Sequence, residues 1–220
     1  MERILIVLVA FGLSAAPAQA GPNRTWVSGK GIDAGAYPVT APCRTFAFAI
    51  GQTDAGGEID VLDPAGYGTV TITKVISIVN DGVGVAAIGA ATGNGVKINA
   101  GATDSVHLRG LTMDGLGGGS NGIHFNAGGN LAIENCVIRG FTNAGIAITP
   151  GTASSFSVSN TIASNNGREG ILVNPKSVPI VVNGVLSKVT ANDNFDGILV
   201  SGFTTGAFLN VTIVDSEASN

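Results

Sequence analysis

Apolar and polar residues alternate along this chain in short bursts, the mark of half-buried strands. Glu58-Ile59-Asp60-Val61-Leu62, Thr69-Val70-Thr71-Ile72-Thr73 and Val75-Ile76-Ser77-Ile78-Val79 are three such bursts, with a turn predicted at Asp63-Pro64-Ala65-Gly66. From Gly95 onward one phrase recurs: glycine, an aliphatic β-branched residue, any residue, an apolar residue. It reads Gly95-Val96-Lys97-Ile98, Gly122-Ile123-His124-Phe125, Gly145-Ile146-Ala147-Ile148, Gly170-Ile171-Leu172-Val173 and Gly197-Ile198-Leu199-Val200. The glycines are 27, 23, 25 and 27 residues apart (122−95, 145−122, 170−145, 197−170). Self-similarity at such a period means stacked supersecondary units.

Period-two alternation places the second and fourth residues of each phrase on one side. Val96, Ile123, Ile146, Ile171 and Ile198 are therefore expected as one inward ladder, and Ile98, Phe125, Ile148, Val173 and Val200 as a second. Five residues before the last four glycines stand Gly117, Gly140, Asn165 and Asn192. Glycine and asparagine enter the left-handed region at low cost, so each coil is predicted to turn there. Asn165 and Asn192 are further expected to stack their amides from coil to coil. Regularly spaced leucines and long 3.6-periodic segments are missing, so leucine-rich and helical repeats fit less well.

Regular coils are predicted to begin near Val106, Leu131, Phe156 and Val181, in a solenoid body spanning residues 58–220. Residues 21–57 read as a leader and cap, with a strand at Trp26-Val27-Ser28-Gly29 and a short helix over 42–50 ending near Gly51. Residues 1–20 read as a secretory signal: Arg3, an apolar run from Ile4 to Leu13, and Ala18-Gln19-Ala20 as the cleavage pattern. The expected location is outside the cytoplasm, secreted or periplasmic. Val211 to Ser216 starts one more coil, and neither a further Gly-Ile phrase nor a capping segment follows before Asn220. The expectation at that end is a truncated product, or a second chain covering it by end-to-end association.

The coils resemble right-handed parallel β-helix proteins of the pectin lyase-like superfamily, whose coils carry "N-x-C-x-I-x-G … G-I-x-I". The closest copy runs from Ile133-Glu134-Asn135-Cys136-Val137-Ile138-Arg139-Gly140 to Gly145-Ile146-Ala147-Ile148. The resemblance extends from about Trp26 onward. It implies an all-β, right-handed, single-stranded parallel β-helix with a short N-terminal capping helix, and a polysaccharide as partner. It does not separate lyases, hydrolases, epimerases and non-catalytic adhesins, which share such coils.

Composition narrows the partners. Of 220 residues, 33 are glycine and only 12% are charged, which suits tight turns around an apolar column. The net charge of −4 and the absence of a Lys/Arg run argue against nucleic acid or an anionic membrane. An acidic glycan remains compatible through a local basic patch or a cation.

Candidate chemistry falls in two columns. The residues before the phrase glycines are Asn121, Ala144, Glu169 and Asp196. The resemblance to polygalacturonase-type hydrolases places catalytic aspartates at this position. Adjacent strands lie about 4.8 Å apart, close to the roughly 5 Å between the carboxyl groups of retaining glycosidases. Glu169 and Asp196 are thus candidates for a catalytic pair, with His124 nearby. The same acids would suit Ca2+, the one cofactor the pattern suggests; they also read as solvated turn carboxylates. The family's Gly-His-Gly, Arg-Ile-Lys and adjacent Asp-Asp phrases are absent, so its triad is incomplete. Lys97 and His124 share the outward position of their phrases, a face that the resemblance makes a glycan cleft, and Ala147, Leu172 and Leu199 continue the column. Substrate-binding candidates are Lys97, Arg139, Arg168, Leu172 and Leu199; Arg109 recurs near a turn like the other arginines. Cys43 and Cys136 read as separate buried thiols, and no His/Cys cluster has zinc spacing.

Overall fold

A computed structural model describes residues 22–34, 38–176, 179–202 and 207–219. The secretory pattern at 1–20 lies outside them. One helix, α1 (Phe46–Gln52), is described, and it starts where Thr45 caps it: the Thr45 hydroxyl accepts from the Phe48 N–H at 3.1 Å. Phe46 and Ala49 face the solenoid end and are fully buried, so the helix covers the apolar stack as expected.

The strands form three parallel sheets. The first has eight strands: β1 (Arg24–Val27), β2 (Glu58–Val61), β5 (Ile76–Val79), β8 (Ser105–Arg109), β11 (Asn130–Glu134), β14 (Ser154–Ser159), β17 (Val181–Ser187) and β19 (Phe208–Val214). The second has five: β3 (Ala65–Gly66), β6 (Ala86–Gly89), β9 (Leu111–Asp114), β12 (Val137–Arg139) and β15 (Ile162–Ala163). The third has six: β4 (Val70–Ile72), β7 (Val96–Asn99), β10 (Ile123–Ala127), β13 (Ile146–Ile148), β16 (Glu169–Val173) and β18 (Asp196–Val200). The chain visits the three in rotation, which makes it a parallel β-solenoid. The leader strand β1 pairs with β2 and so forms the first rung of the eight-stranded sheet.

The two inward ladders are present. Val96, Ile123, Ile146 and Ile171 pair in register and are fully buried, as are Ile98, Phe125, Ile148 and Val173. The last rung differs: Ile198 is half-buried and Val200 is 39% exposed, because among the described residues no further strand of that sheet covers them. Phe208, Ile213 and Val214 on β19 are exposed at the same end.

The phrase glycines owe their identity to space. None has a positive φ. A Cβ on Gly95 would lie 2.8 Å from the Gly122 carbonyl oxygen, one on Gly122 2.5 Å from that of Gly145, one on Gly145 2.8 Å from that of Gly170, and one on Gly170 2.6 Å from that of Gly197. Each carbonyl is fixed by a ladder bond, as where the Ile123 N–H donates to Gly145 O at 2.9 Å. Every coil therefore rests on the next at a point where only hydrogen fits.

The turns are left-handed at Gly117 (φ +78°), Gly140 (+73°) and Asn165 (+58°), as the spacing predicts. In the next coil the left-handed residue is Asp193 (+55°) instead of Asn192. Thr190 bridges Ile162, so Asp193 is the structural counterpart of Asn165, and the turn lies one residue closer to its glycine than in the preceding coil. The amide stack also shifts by one position from the expected Asn165. The left-handed residues Asn165 and Asp193 face solvent, and the residues after them turn inward. Asn166 Nδ2 donates to Asn194 Oδ1 at 3.1 Å, Asn194 Nδ2 donates to Ala163 O at 2.9 Å, and the Phe141 N–H donates to Asn166 Oδ1 at 3.2 Å. Asn192 instead donates to Glu217 Oε1 at 3.1 Å. Cys43 and Cys136 are free, separate and buried; burial pushes the thiols up to about 11 and about 12.

Candidate functional site

The outer face of the six-stranded sheet gathers the basic groups. Register places Thr71, Lys97, His124, Ala147, Leu172 and Leu199 side by side from β4 to β18. Lys97 is exposed and His124 half-buried. His124 Nε2 and the Thr149 hydroxyl share a hydrogen bond of 2.9 Å, which orients the ring. A third cation comes from beyond the phrase. After β16 the chain continues alongside the preceding coil in the same parallel register: the Asn174 N–H donates to Ile148 O at 2.9 Å and the Lys176 N–H to Pro150 O at 3.0 Å. This brings Lys176 Nζ to Asn126 Oδ1, and Asn126 Nδ2 donates to Asn99 Oδ1 at 2.9 Å.

The electrostatics follow. Burial, then Lys176, then Lys97 hold the His124 imidazole below its ordinary value, so the ring is neutral near pH 7. Among the described residues no carboxylate lies within ion-pair distance of Lys97 or Lys176. Two uncompensated ammonium groups thus flank a neutral donor–acceptor ring, with the Asn99–Asn126 amides and the Thr149 hydroxyl beside them. Such a set holds a carboxylate or sulfate and hydrogen-bonds to neighbouring hydroxyls.

A cleft opens at the N-terminal end of this face, between α1 and β4, with a volume of about 540 Å3. Ala47 and Ile50 line one wall; Thr69, Thr71, Asn94 and Lys97 line the other. Small-molecule sites are typically about 300–1,000 Å3.

The remaining candidates lie elsewhere. Glu169 and Asp196 are register partners on β16 and β18. The Glu169 side chain is only 4% exposed, and its recorded ion pair is with the neighbouring Arg168 at 3.4 Å. A carboxyl so enclosed is not presented to a polymer on the outer face. His124 stands two strands from β16 and three residues further along, about 14 Å from Glu169 between Cα atoms by strand spacing and rise. The structure therefore brings Glu169, Asp196 and Arg168 together and keeps them apart from His124. Arg139 lies on the five-stranded sheet, paired with Asp114 at 3.2 Å, and Arg109 pairs with Asp81 at 3.2 Å. Leu172 and Leu199 are half-buried beside the buried Ala147. Among the described residues no group of three or more His, Cys, Asp or Glu side chains is placed to hold a metal ion.

The sequence carried one unread signal for this face: the residue after each phrase is polar, at Asn99, Asn126, Thr149, Asn174 and Ser201. Lys176 had no such signal, because it lies beyond the repeated phrase and its side chain reaches across coils to Asn126. Comparison with known proteins finds no matching family model, no similar curated protein and no similar solved structure.

Proposed function

We propose that this protein binds an acidic polysaccharide on the outer face of its six-stranded sheet, as a secreted or periplasmic β-solenoid of the pectin lyase-like kind. One observation carries the reading: Lys97, Lys176 and His124 converge, and among the described residues no carboxylate pairs with either lysine. In a protein of net charge −4 such a patch is a local reversal of sign, suited to a polyanion that the rest of the surface repels. The coil motifs and the secretory pattern of residues 1–20 support the same reading. Binding is favoured over turnover because Glu169 is enclosed and the acid pair stands apart from His124 on the cationic face.

Affinity electrophoresis in polygalacturonate, alginate and a neutral glucan tests this. The protein should be retarded by one or both acidic polymers and not by the glucan, with retardation weakening as salt is raised. Lys97→Ala combined with Lys176→Ala should abolish it, whereas Glu169→Ala with Asp196→Ala should leave it intact. Equal retardation by the neutral polymer, or none by either acidic one, refutes the proposal.

A further inference from the structure

The cleft beside α1 and the cationic face are one surface, because Lys97 belongs to both. β4 is the last strand of the six-stranded sheet on that side. Beyond it stands the helix, held in place by Phe46 and Ala49 in the core and by Thr45 at its cap. A polymer crossing the strands meets His124 on β10, then Lys97 on β7 about 4.8 Å further on, then a wall. Nothing in that layout lets a long chain continue past β4.

The cleft lining has the chemistry of a sugar site. Ala47 and Ile50 offer methyl groups to the C–H face of a ring, Thr69 and Thr71 offer hydroxyls, and Lys97 offers an ammonium group. The Asn94 amide lines the cleft and is oriented by the bond that Asn121 Nδ2 donates to its Oδ1 at 2.9 Å. The geometry points to end-on capture: the cleft between α1 and β4 takes the terminal uronate of an acidic polysaccharide, with its carboxylate on Lys97, and the chain leaves across His124 and Lys176. This inference rests on the glycan reading above and adds to it a mode of binding. A protein built this way counts chain ends, where an open face would count chain length.

Isothermal titration calorimetry of the intact protein with short, intermediate and long oligogalacturonates or oligomannuronates, matched to the polymer that binds in electrophoresis, tests it. One protein molecule should bind per chain at every length. Ala47→Trp, at an exposed position, should fill the cleft and weaken binding by at least about tenfold while the circular dichroism spectrum is unchanged. Thr69→Trp provides a second obstruction if that variant does not fold. A stoichiometry that rises with chain length, or full affinity in a folded, obstructed variant, overturns end-on capture but leaves the glycan reading standing. No binding by the unaltered protein at any length removes both.

Discussion

Gly122→Ala is the sharpest test of how the coils are spaced. The new Cβ would lie 2.1 Å from Ile138 Cγ2, 2.5 Å from the Gly145 carbonyl oxygen and 3.1 Å from Phe141 Cε2. Ordinary contact begins near 3.4 Å, so the methyl must move by about 1.3 Å (3.4−2.1) and the carbonyl by about 0.9 Å (3.4−2.5). Ile138 is fully buried, and the carbonyl accepts from the Ile123 N–H at 2.9 Å. Overpacking costs about 1–3 kcal/mol and a spoiled ladder bond about 1 more, while the stiffer unfolded chain returns about 0.4–1. The net loss is about 1–3.6 kcal/mol, or a fall of roughly 2–14 °C in Tm for a chain of this size. Two other glycines serve as controls. Gly51 lies in α1 with open space around it, so Gly51→Ala should raise Tm by about 1–3 °C. Gly117 is left-handed with open space, so Gly117→Asn should be near neutral, because asparagine enters that region at low cost. Thermal melts followed by circular dichroism decide the matter. If Gly122→Ala melts within a degree of the unaltered protein, the steric account of the phrase is wrong.

Three further outcomes follow from groups elsewhere in the coils. Asn194→Ala removes the acceptor for the Asn166 N–H and the donor to Ala163 O in a buried setting, and should cost about 2–4 kcal/mol in a urea melt; a loss no larger than that of an exposed Asn would contradict the ladder. Burial, then Glu58, push the Asp60 carboxyl up to about 6 although Arg24 opposes them, so the folded chain holds this proton more tightly than the unfolded chain, where it titrates near 3.9. Its stabilising share is complete below about pH 4 and is lost as pH rises through about 6. Asp60→Asn should therefore raise Tm relative to the unaltered protein at about pH 8 and leave it level near pH 4, and a gain independent of pH would count against this. Both cysteines should resist a thiol-exchange reagent at mild alkaline pH in the native state and react together on denaturation, since they are 0% and 1% exposed with raised pKa values. Rapid labelling of either in the folded protein would place it at the surface.

Much of this architecture is written in short-range periodicity, and for a physical reason. Each rung pairs residues one coil apart, so Ile123, Ile146 and Ile171 meet because their glycines recur, and the sequence displays that recurrence directly. What it does not display is why glycine recurs: the same letter marks a left-handed turn at Gly117 and a missing Cβ at Gly122. The amide stack fell one residue from its expected place because side-chain direction reverses at a left-handed residue, which spacing alone does not record. The candidate site was legible where it followed strand register, at Lys97 and His124. It was hidden where burial or the reach of a side chain across coils decided the matter. Glu169 and Asp196 are neighbours as their spacing implies, yet the 4% exposure of Glu169 comes from surrounding coils. Lys176 reaches Asn126 across fifty positions of sequence.

The column of glycines pressed against carbonyls also settles where this chain can grow. A contact with room for hydrogen alone pins the glycine itself, and growth is left to the turns on either side of it. Before the glycine, residues 140–145 suffice between β12 and β13, whereas residues 115–122 intervene between β9 and β10; after the phrase, residues 128–129 suffice between β10 and β11, whereas residues 174–180 intervene between β16 and β17. Insertions should accumulate at both corners, and it is from the second that Lys176 reaches the basic face. New specificity would be grafted by exchanging those connections, leaving the stacked frame as it is.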